Sequence, residues 1–129
     1  MSWITRLFGS SPENFPEGRN GVLLRQLKTE WERRMAEGDD TFTSAGIAAV
    51  MKCLKRFEER AARLEHPSKR DMLPIVKASI LELNAINEKH AIIDTLEREE
   101  LCHLITQIIA SHGVGLAPKE DITEEWREW

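Results

Sequence analysis

Metal chemistry has one candidate pair in this chain, Glu100 and His103. A Glu-x-x-His pair on a helix is the unit that carboxylate-bridged di-iron bundles use twice, together with glutamates from two further helices. Only one copy is present, and a 3.6-residue period places His103 nearly opposite the apolar stripe that begins at Leu101. His103 should therefore face water, and we expect no metal site and no cofactor.

Nucleophilic catalysis would need a thiol or hydroxyl beside a base. Cys102 and His103 are neighbours, but successive side chains on a helix diverge by about 100° and cannot hydrogen-bond as a dyad. The sequence has neither a nucleophile elbow nor a phosphate-binding glycine loop. We therefore predict that the protein is not an enzyme.

The last residues, DITEEWREW, carry the most distinctive composition. Ile122, Trp126 and Trp129 stand at i, i+4 and i+7, and Asp121 with Glu124 has capping-box spacing, so the pattern predicts a short final helix with one apolar edge. Four carboxylates surround that edge: Glu120, Glu124, Glu125 and Glu128.

Two interpretations of this tail remain open. The tryptophans can fold back over the rest of the protein, against Trp3 or Trp31, since large aromatic side chains are usually buried. Alternatively, they form a binding surface for a basic protein, since tryptophan is enriched at interaction hot spots. In the second interpretation, the candidate partner-binding residues are Glu120, Ile122, Glu124, Glu125, Trp126, Glu128 and Trp129.

A second polar set is predicted where two helices meet. Asn84 and Asn87 lie on or beside the inward side of one helix, and Glu97 and Arg98 flank the apolar face of the next. We expect these four residues to form one polar cluster that closes a helical hairpin. Such a cluster can fix the register of the two helices or bind a ligand.

Apolar periodicity of 3.6 residues predicts four main helices to hold these groups. Asn20 is the expected N-cap of the first helix, Gly38 its C′ residue and Asp71 the cap of the third. The expected ranges are 22–37, 45–65, 71 to a turn at 89–94, and 94–112. This pattern predicts an all-α antiparallel four-helix bundle with short helical segments at both termini.

The second helix carries the basic concentration of the chain, namely Lys52, Lys55, Arg56, Arg60 and Arg63, followed by Lys69 and Arg70. Glu58, Glu59 and Glu65 interrupt it, which favours a solvated face over a nucleic-acid site. A weak nucleic-acid site stays an alternative.

Length and composition agree with one domain. The 129 residues are 41% hydrophobic and 31% charged, as in a folded globular protein. We divide them into a turn and loop (1–21), a four-helix core (22–112) and the acidic tail (113–129). Residues 1–70 carry 13 Lys/Arg against 10 Asp/Glu, and residues 71–129 carry 5 against 12, so the acidic half favours a basic protein partner.

Two features bear on the cellular setting. Cys53 and Cys102 lie within helical patterns and no secretory signal is visible, so we expect reduced thiols in the cytoplasm. The longest uncharged run, 101–118, contains several polar residues and is not expected to cross a membrane. Trp3, Ile4, Leu7 and Phe8 form either an N-terminal turn pinned to the bundle or a short amphipathic contact with a membrane or another subunit.

Together these observations favour a small acidic protein-binding module of the immunity, inhibitor or adaptor kind. A structural or regulatory homodimer, joined through Trp3 and the tail, is the second hypothesis.

Overall fold

The computed structural model describes residues 15–129, and within that range the chain forms four α-helices and no strand. The helices are α1 (Arg19–Ala36), α2 (Ser44–Ala62), α3 (Lys69–His90) and α4 (Thr95–Ser111). They pack against one another, so the predicted all-α bundle of four helices is confirmed. The expectations for Trp3, Ile4, Leu7 and Phe8 lie outside the described residues.

The helix ends follow local capping chemistry. Asp94 and Glu97 form the predicted capping box at the start of α4, and Gly38 takes the left-handed φ of +104° expected of a C′ residue. Two predicted caps are wrong. Ser68 caps α3, and Asp71 is its capping-box partner; Gly18 occupies the N-cap of α1, so Asn20 lies inside that helix.

The apolar faces meet in one core. It takes its largest fully buried side chains from all four helices, with Trp31 of α1 and Phe57 of α2 the bulkiest. Trp31 lies 5.3 Å from Phe42 between ring centroids, which ties the α1–α2 loop into the core. The α4 stripe, Leu101, Leu104, Ile105, Ile108 and Ile109, is buried as predicted.

Helices α1 and α4 run antiparallel, and their polar contacts show the register. Asn20 at the start of α1 bonds to Ser111 at the end of α4, whereas Arg34 near the end of α1 bonds to Glu97 in the first turn of α4. Between them, Trp31 Nε1 donates to Glu100 Oε1 at 2.9 Å. Helix α2 packs against both α1 and α3.

The tail does not form the expected short helix. Its backbone bonds from Glu124 to Asp121, Trp126 to Thr123 and Arg127 to Thr123 make a series of turns instead. The side chain of Asp121 accounts for the difference, because its Oδ1 accepts from both the backbone N–H and the hydroxyl of Thr123 and competes with helical hydrogen bonding. No helix among residues 15–129 is long and apolar enough to cross a membrane.

Candidate functional site

The tail is fixed to α3 by the side chain of Asn84. Its Nδ2 donates to the Trp126 carbonyl oxygen at 2.8 Å, and its Oδ1 accepts from the Glu128 backbone N–H at 3.1 Å. One amide thus satisfies a backbone donor and a backbone acceptor. Because both bonds go to the main chain, they hold residues 126–128 in place and leave their side chains for other contacts.

A second set of bonds fixes the tail to itself and to α4. The guanidinium of Arg127 donates to Asp121 Oδ2 at 2.8 Å, to Thr123 Oγ1 at 3.0 Å and to the Trp129 carbonyl oxygen at 2.8 Å. Thr123 is buried, and its hydroxyl lies 3.5 Å from Cys102 Sγ. Burial alone would raise the pKa of Asp121, but the bonds from Thr123 and Arg127 outweigh it and lower that pKa.

The start of the tail is tied to α3 by an ion pair between Lys69 and Glu120. Glu120 also accepts the Ala117 backbone N–H at 3.1 Å. The bond from Lys69, followed by that from Ala117, lowers the pKa of Glu120. Glu120 is therefore a structural carboxylate of the tail, although the sequence grouped it with the partner-binding acids.

The remaining predicted site residues divide by burial. Ile122 is buried in the core at 6% exposure, so it cannot be the surface contact proposed for it. Trp126 and Trp129 are half-buried against the core. Glu124, Glu125 and Glu128 are exposed, and the structure gives their carboxylates no ion pair within residues 15–129. These three carboxylates and two tryptophans are called the tail face below.

The predicted cluster of Asn84, Asn87, Glu97 and Arg98 is not a single cluster, because three of its members bond to different parts of the protein. Asn84 holds the tail, and Asn87 Oδ1 accepts from Ile93 N at 2.8 Å inside the α3–α4 turn. Glu97 accepts from Asp94 N in the capping box and from Arg34 of α1. Arg98 is half-buried on α4. Helical periodicity gives the direction of each side chain but not the element opposite it.

Sequence reasoning missed a polar network between the end of α1 and the start of α4, here called the Arg34 network. Arg34 binds Glu100 through both terminal nitrogens, reaches Glu97 at 3.3 Å, and pairs with Glu30 on its own helix at 2.8 Å. Its side chain is 15% exposed. Hydrogen bonds from Arg33 and then Arg34 lower the pKa of Glu30 to about 2.

A second network was also missed and lies at the opposite end of the α1–α4 interface. It is called the Glu58 network. Glu58 of α2 is buried, and its Oε1 accepts from Asn20 Nδ2 at 2.8 Å and lies 2.8 Å from His112 Nε2. Asn20 also donates to Ser111 Oγ, while its own Oδ1 is buried without a partner.

The sequence did contain a signal for the Glu58 network. Glu58 follows Leu54 by four residues and Met51 by seven, so it falls on the apolar stripe of α2, and His112 falls on that of α4. Polar residues at stripe positions on two helices predict a buried polar contact. Counting Glu58 with the exposed basic face of α2 was wrong.

The residues considered for metal and thiol chemistry, Glu100, His103 and Cys102, do not form a site together. Glu100 is bound by Arg34 and Trp31, and His103 is exposed as expected. Within residues 15–129 no three His, Cys, Asp or Glu side chains are grouped as metal ligands. Cys53 and Cys102 are not bonded to each other; burial raises the pKa of Cys53 to about 12 and also raises that of Cys102.

Comparison of this chain with protein-family models, with curated proteins and with solved structures finds no match of any kind. The function proposed for this protein therefore depends on the chemistry of the residues described above.

Proposed function

We propose that this protein acts without catalysis, as a small protein-binding module of the immunity, inhibitor or adaptor kind. Its binding surface is the tail face, and its partner presents basic side chains there. The observation that carries the proposal is the exposure of Glu124, Glu125 and Glu128 around two half-buried tryptophans, on a segment held in place by Asn84.

The fixed backbone of the tail supports this proposal energetically. A disordered segment loses conformational entropy when it binds, whereas a segment already held on the bundle loses less. Two bonds to Asn84, the Asp121–Arg127 pair and burial of Ile122 supply that preorganisation. The exposed carboxylates are therefore presented in a defined arrangement, which favours specificity for a matching set of cations.

The chemistry of the two tryptophans supports the same surface. Arg127 Cζ lies 5.4 Å from the centroid of the Trp129 ring, so one face of this indole already makes a cation–π contact within the tail. Partly exposed indole surrounded by carboxylates suits lysine or arginine side chains, because the ring contacts the aliphatic stem and the carboxylates pair with the charged end.

The experiment compares partner capture by three immobilised proteins in extract of the source cells. They are the native protein, a tail variant (Glu124→Gln, Glu125→Gln, Glu128→Gln) and a control variant (Glu17→Gln, Glu32→Gln, Asp40→Asn) that loses as many exposed carboxylates elsewhere. We expect a specific polypeptide to bind the native and control proteins, with about tenfold weaker binding to the tail variant if three exposed pairs are lost. High salt should weaken binding to the native protein as well. Equal capture by all three proteins, or capture that is indifferent to salt, would refute the proposal.

Homodimer formation through apolar faces has weaker support, because the large exposed apolar side chains of residues 15–129 are scattered on three helices: Val22, Leu81 and Leu96. The nucleic-acid alternative is weakened because Arg56 and Lys69 are already paired with Glu82 and Glu120.

A further inference from the structure

The outer face of α2 carries a stripe of cations that the structure leaves largely unbalanced. Lys52, Lys55, Arg56, Arg60 and Arg63 stand at i, i+3, i+4, i+8 and i+11, which is one side of a helix. Lys52, Arg60 and Arg63 are exposed. Within residues 15–129, the structure gives only Arg56 an ion pair, with Glu82 of α3. These five residues are called the basic stripe.

The tail face is the complementary surface of the same chain. It presents three exposed carboxylates, to which the structure gives no cation among the described residues. Opposite charges on two surfaces of one protein would normally attract each other inside the molecule if the chain allowed them to meet.

Helix α3 keeps the two surfaces apart. Glu82 faces α2, where it pairs with Arg56, whereas Asn84 holds the tail. Two residues along a helix correspond to a rotation of about 200° around its axis. The basic stripe and the tail face therefore lie on opposite sides of α3 and cannot neutralise each other within one molecule.

We propose that the tail face of one molecule binds the basic stripe of a second copy. This inference rests on the proposed binding role of the tail face and names the basic partner as α2 of another copy. The two surfaces differ, so the contact is head-to-tail, and the pair of molecules keeps one free tail face and one free basic stripe. Association therefore continues beyond a dimer as concentration rises.

The composition of the two surfaces agrees with this pairing. The stripe places its five cations over about 16 Å of helix from Lys52 to Arg63, and the tail face has three carboxylates within five consecutive residues. A nucleic acid fits the stripe less well. Phe57, the aromatic residue of this segment, is fully buried and cannot stack on bases.

The test uses two charge-reversed proteins that should each be monomeric alone and associate when mixed. The first carries Glu124→Lys, Glu125→Lys and Glu128→Lys, so both of its surfaces are positive. The second carries Lys52→Glu, Arg60→Glu and Arg63→Glu, so both are negative. A matched control carries Glu17→Lys, Glu32→Lys and Asp40→Lys, which change the net charge as much as the first set.

Sedimentation velocity at high protein concentration gives the readout. In about 0.01 M salt, where the Debye length is about 30 Å, we expect the native and control proteins to form dimers and larger species, and about 1 M salt to dissociate them. Each reversed protein alone should lose at least about tenfold in association constant, and an equimolar mixture of the two should regain it. Circular dichroism confirms that each variant remains helical.

Several outcomes would overturn this inference. If the native protein stays monomeric in low salt, the inference is wrong and no variant needs to be measured. Association that survives either reversal, or a mixture that stays monomeric while both variants are folded, also rules it out. Retention of the native protein by a DNA or RNA oligonucleotide, without self-association, would assign the stripe to nucleic acid. If self-association fails while the tail variant still loses a captured partner, the proposed function stands and this inference alone is wrong.

Discussion

The two ends of the α1–α4 interface achieve the same register with different chemistry. In the Arg34 network, one guanidinium forms ion pairs with two carboxylates of α4. In the Glu58 network, one buried carboxylate is held by an amide and an imidazole, and Asn20 Oδ1 is left without a partner. The carboxylates at the first end face a permanent cation, whereas the carboxylate at the second end faces an amide and an imidazole.

From this difference we predict which of the two networks contributes more to the stability of the bundle. Hydrogen bonds between ionised partners are roughly twice as strong as neutral ones, but removing one partner leaves the other charge buried. The Arg34 network should therefore be the more costly of the two to break, and the following substitutions test that ranking.

The largest effect is expected for Arg34→Ala, which leaves Glu97 buried and Glu100 partly buried without their cation. The free energy of unfolding should fall by about 3 kcal/mol, as measured by urea denaturation. Arg33→Ala is the matched control, because Arg33 is exposed and pairs with Glu30 and Glu37, which lie within four residues of it in the chain. Equal losses in the two variants would mean that the interhelical pairing contributes nothing beyond surface pairing.

A smaller loss is expected for Glu58→Ala, which removes the acceptor shared by Asn20 and His112. The free energy of unfolding should fall by about 2 kcal/mol, since the buried Asn20 amide and the half-buried His112 ring both lose their bond to Glu58. Glu59→Ala is the control, because Glu59 follows Glu58 in the chain and its side chain is exposed. If Glu58→Ala destabilises more than Arg34→Ala, the proposed ranking of the two networks is reversed.

The network of the tail is more exposed than either of these and should contribute less. Asp121→Asn weakens the charge-assisted bond from Arg127 and should cost about 1 kcal/mol at neutral pH. Because the pKa of Asp121 is lowered in the folded protein, its contribution is present above about pH 4 and is lost as the pH falls through the folded pKa. The variant should therefore lose less stability on acidification than the native protein. Asp40→Asn is the control. If the free energy of unfolding of the Asp121→Asn variant falls with pH as steeply as that of the native protein, this prediction is wrong.

The smallest effect is expected for the exposed carboxylates of the tail face. Combined replacement of Glu124, Glu125 and Glu128 by glutamine should change the free energy of unfolding by less than about 0.5 kcal/mol, since none of the three carboxylates has an ion-pair partner in residues 15–129. Thermal unfolding provides the measurement. A large destabilisation would show that these residues are structural and that their effect on binding is indirect.

Much of the fold could be predicted because it depends on local and periodic signals. The stripe from Leu101 to Ile109, the capping box of Asp94 and Glu97, and the positive φ of Gly38 each follow from residues within a few positions of one another. The tail tryptophans were placed in the candidate site, but their half-buried packing against the core was only one of two open interpretations.

The partners of the polar residues could not be predicted in the same way. Asn84 and Asn87 are three residues apart on one helix, yet one bonds to the tail and the other to the next turn. Arg34 was given no role, although it joins two helices that are 63 residues apart in the chain. Such pairs depend on how helices are arranged in space, which no periodicity within a single helix encodes.

The sequence by itself determined that four amphipathic helices form and which side of each is apolar, because helical period and end capping are local properties. It also determined the separation of a basic α2 from an acidic tail. Only the tertiary structure decided that Ile122 is buried while three tail carboxylates remain outside, and that α3 separates the tail from the basic stripe. The physical reason is that burial and charge pairing depend on distances between elements, which are fixed when the helices pack.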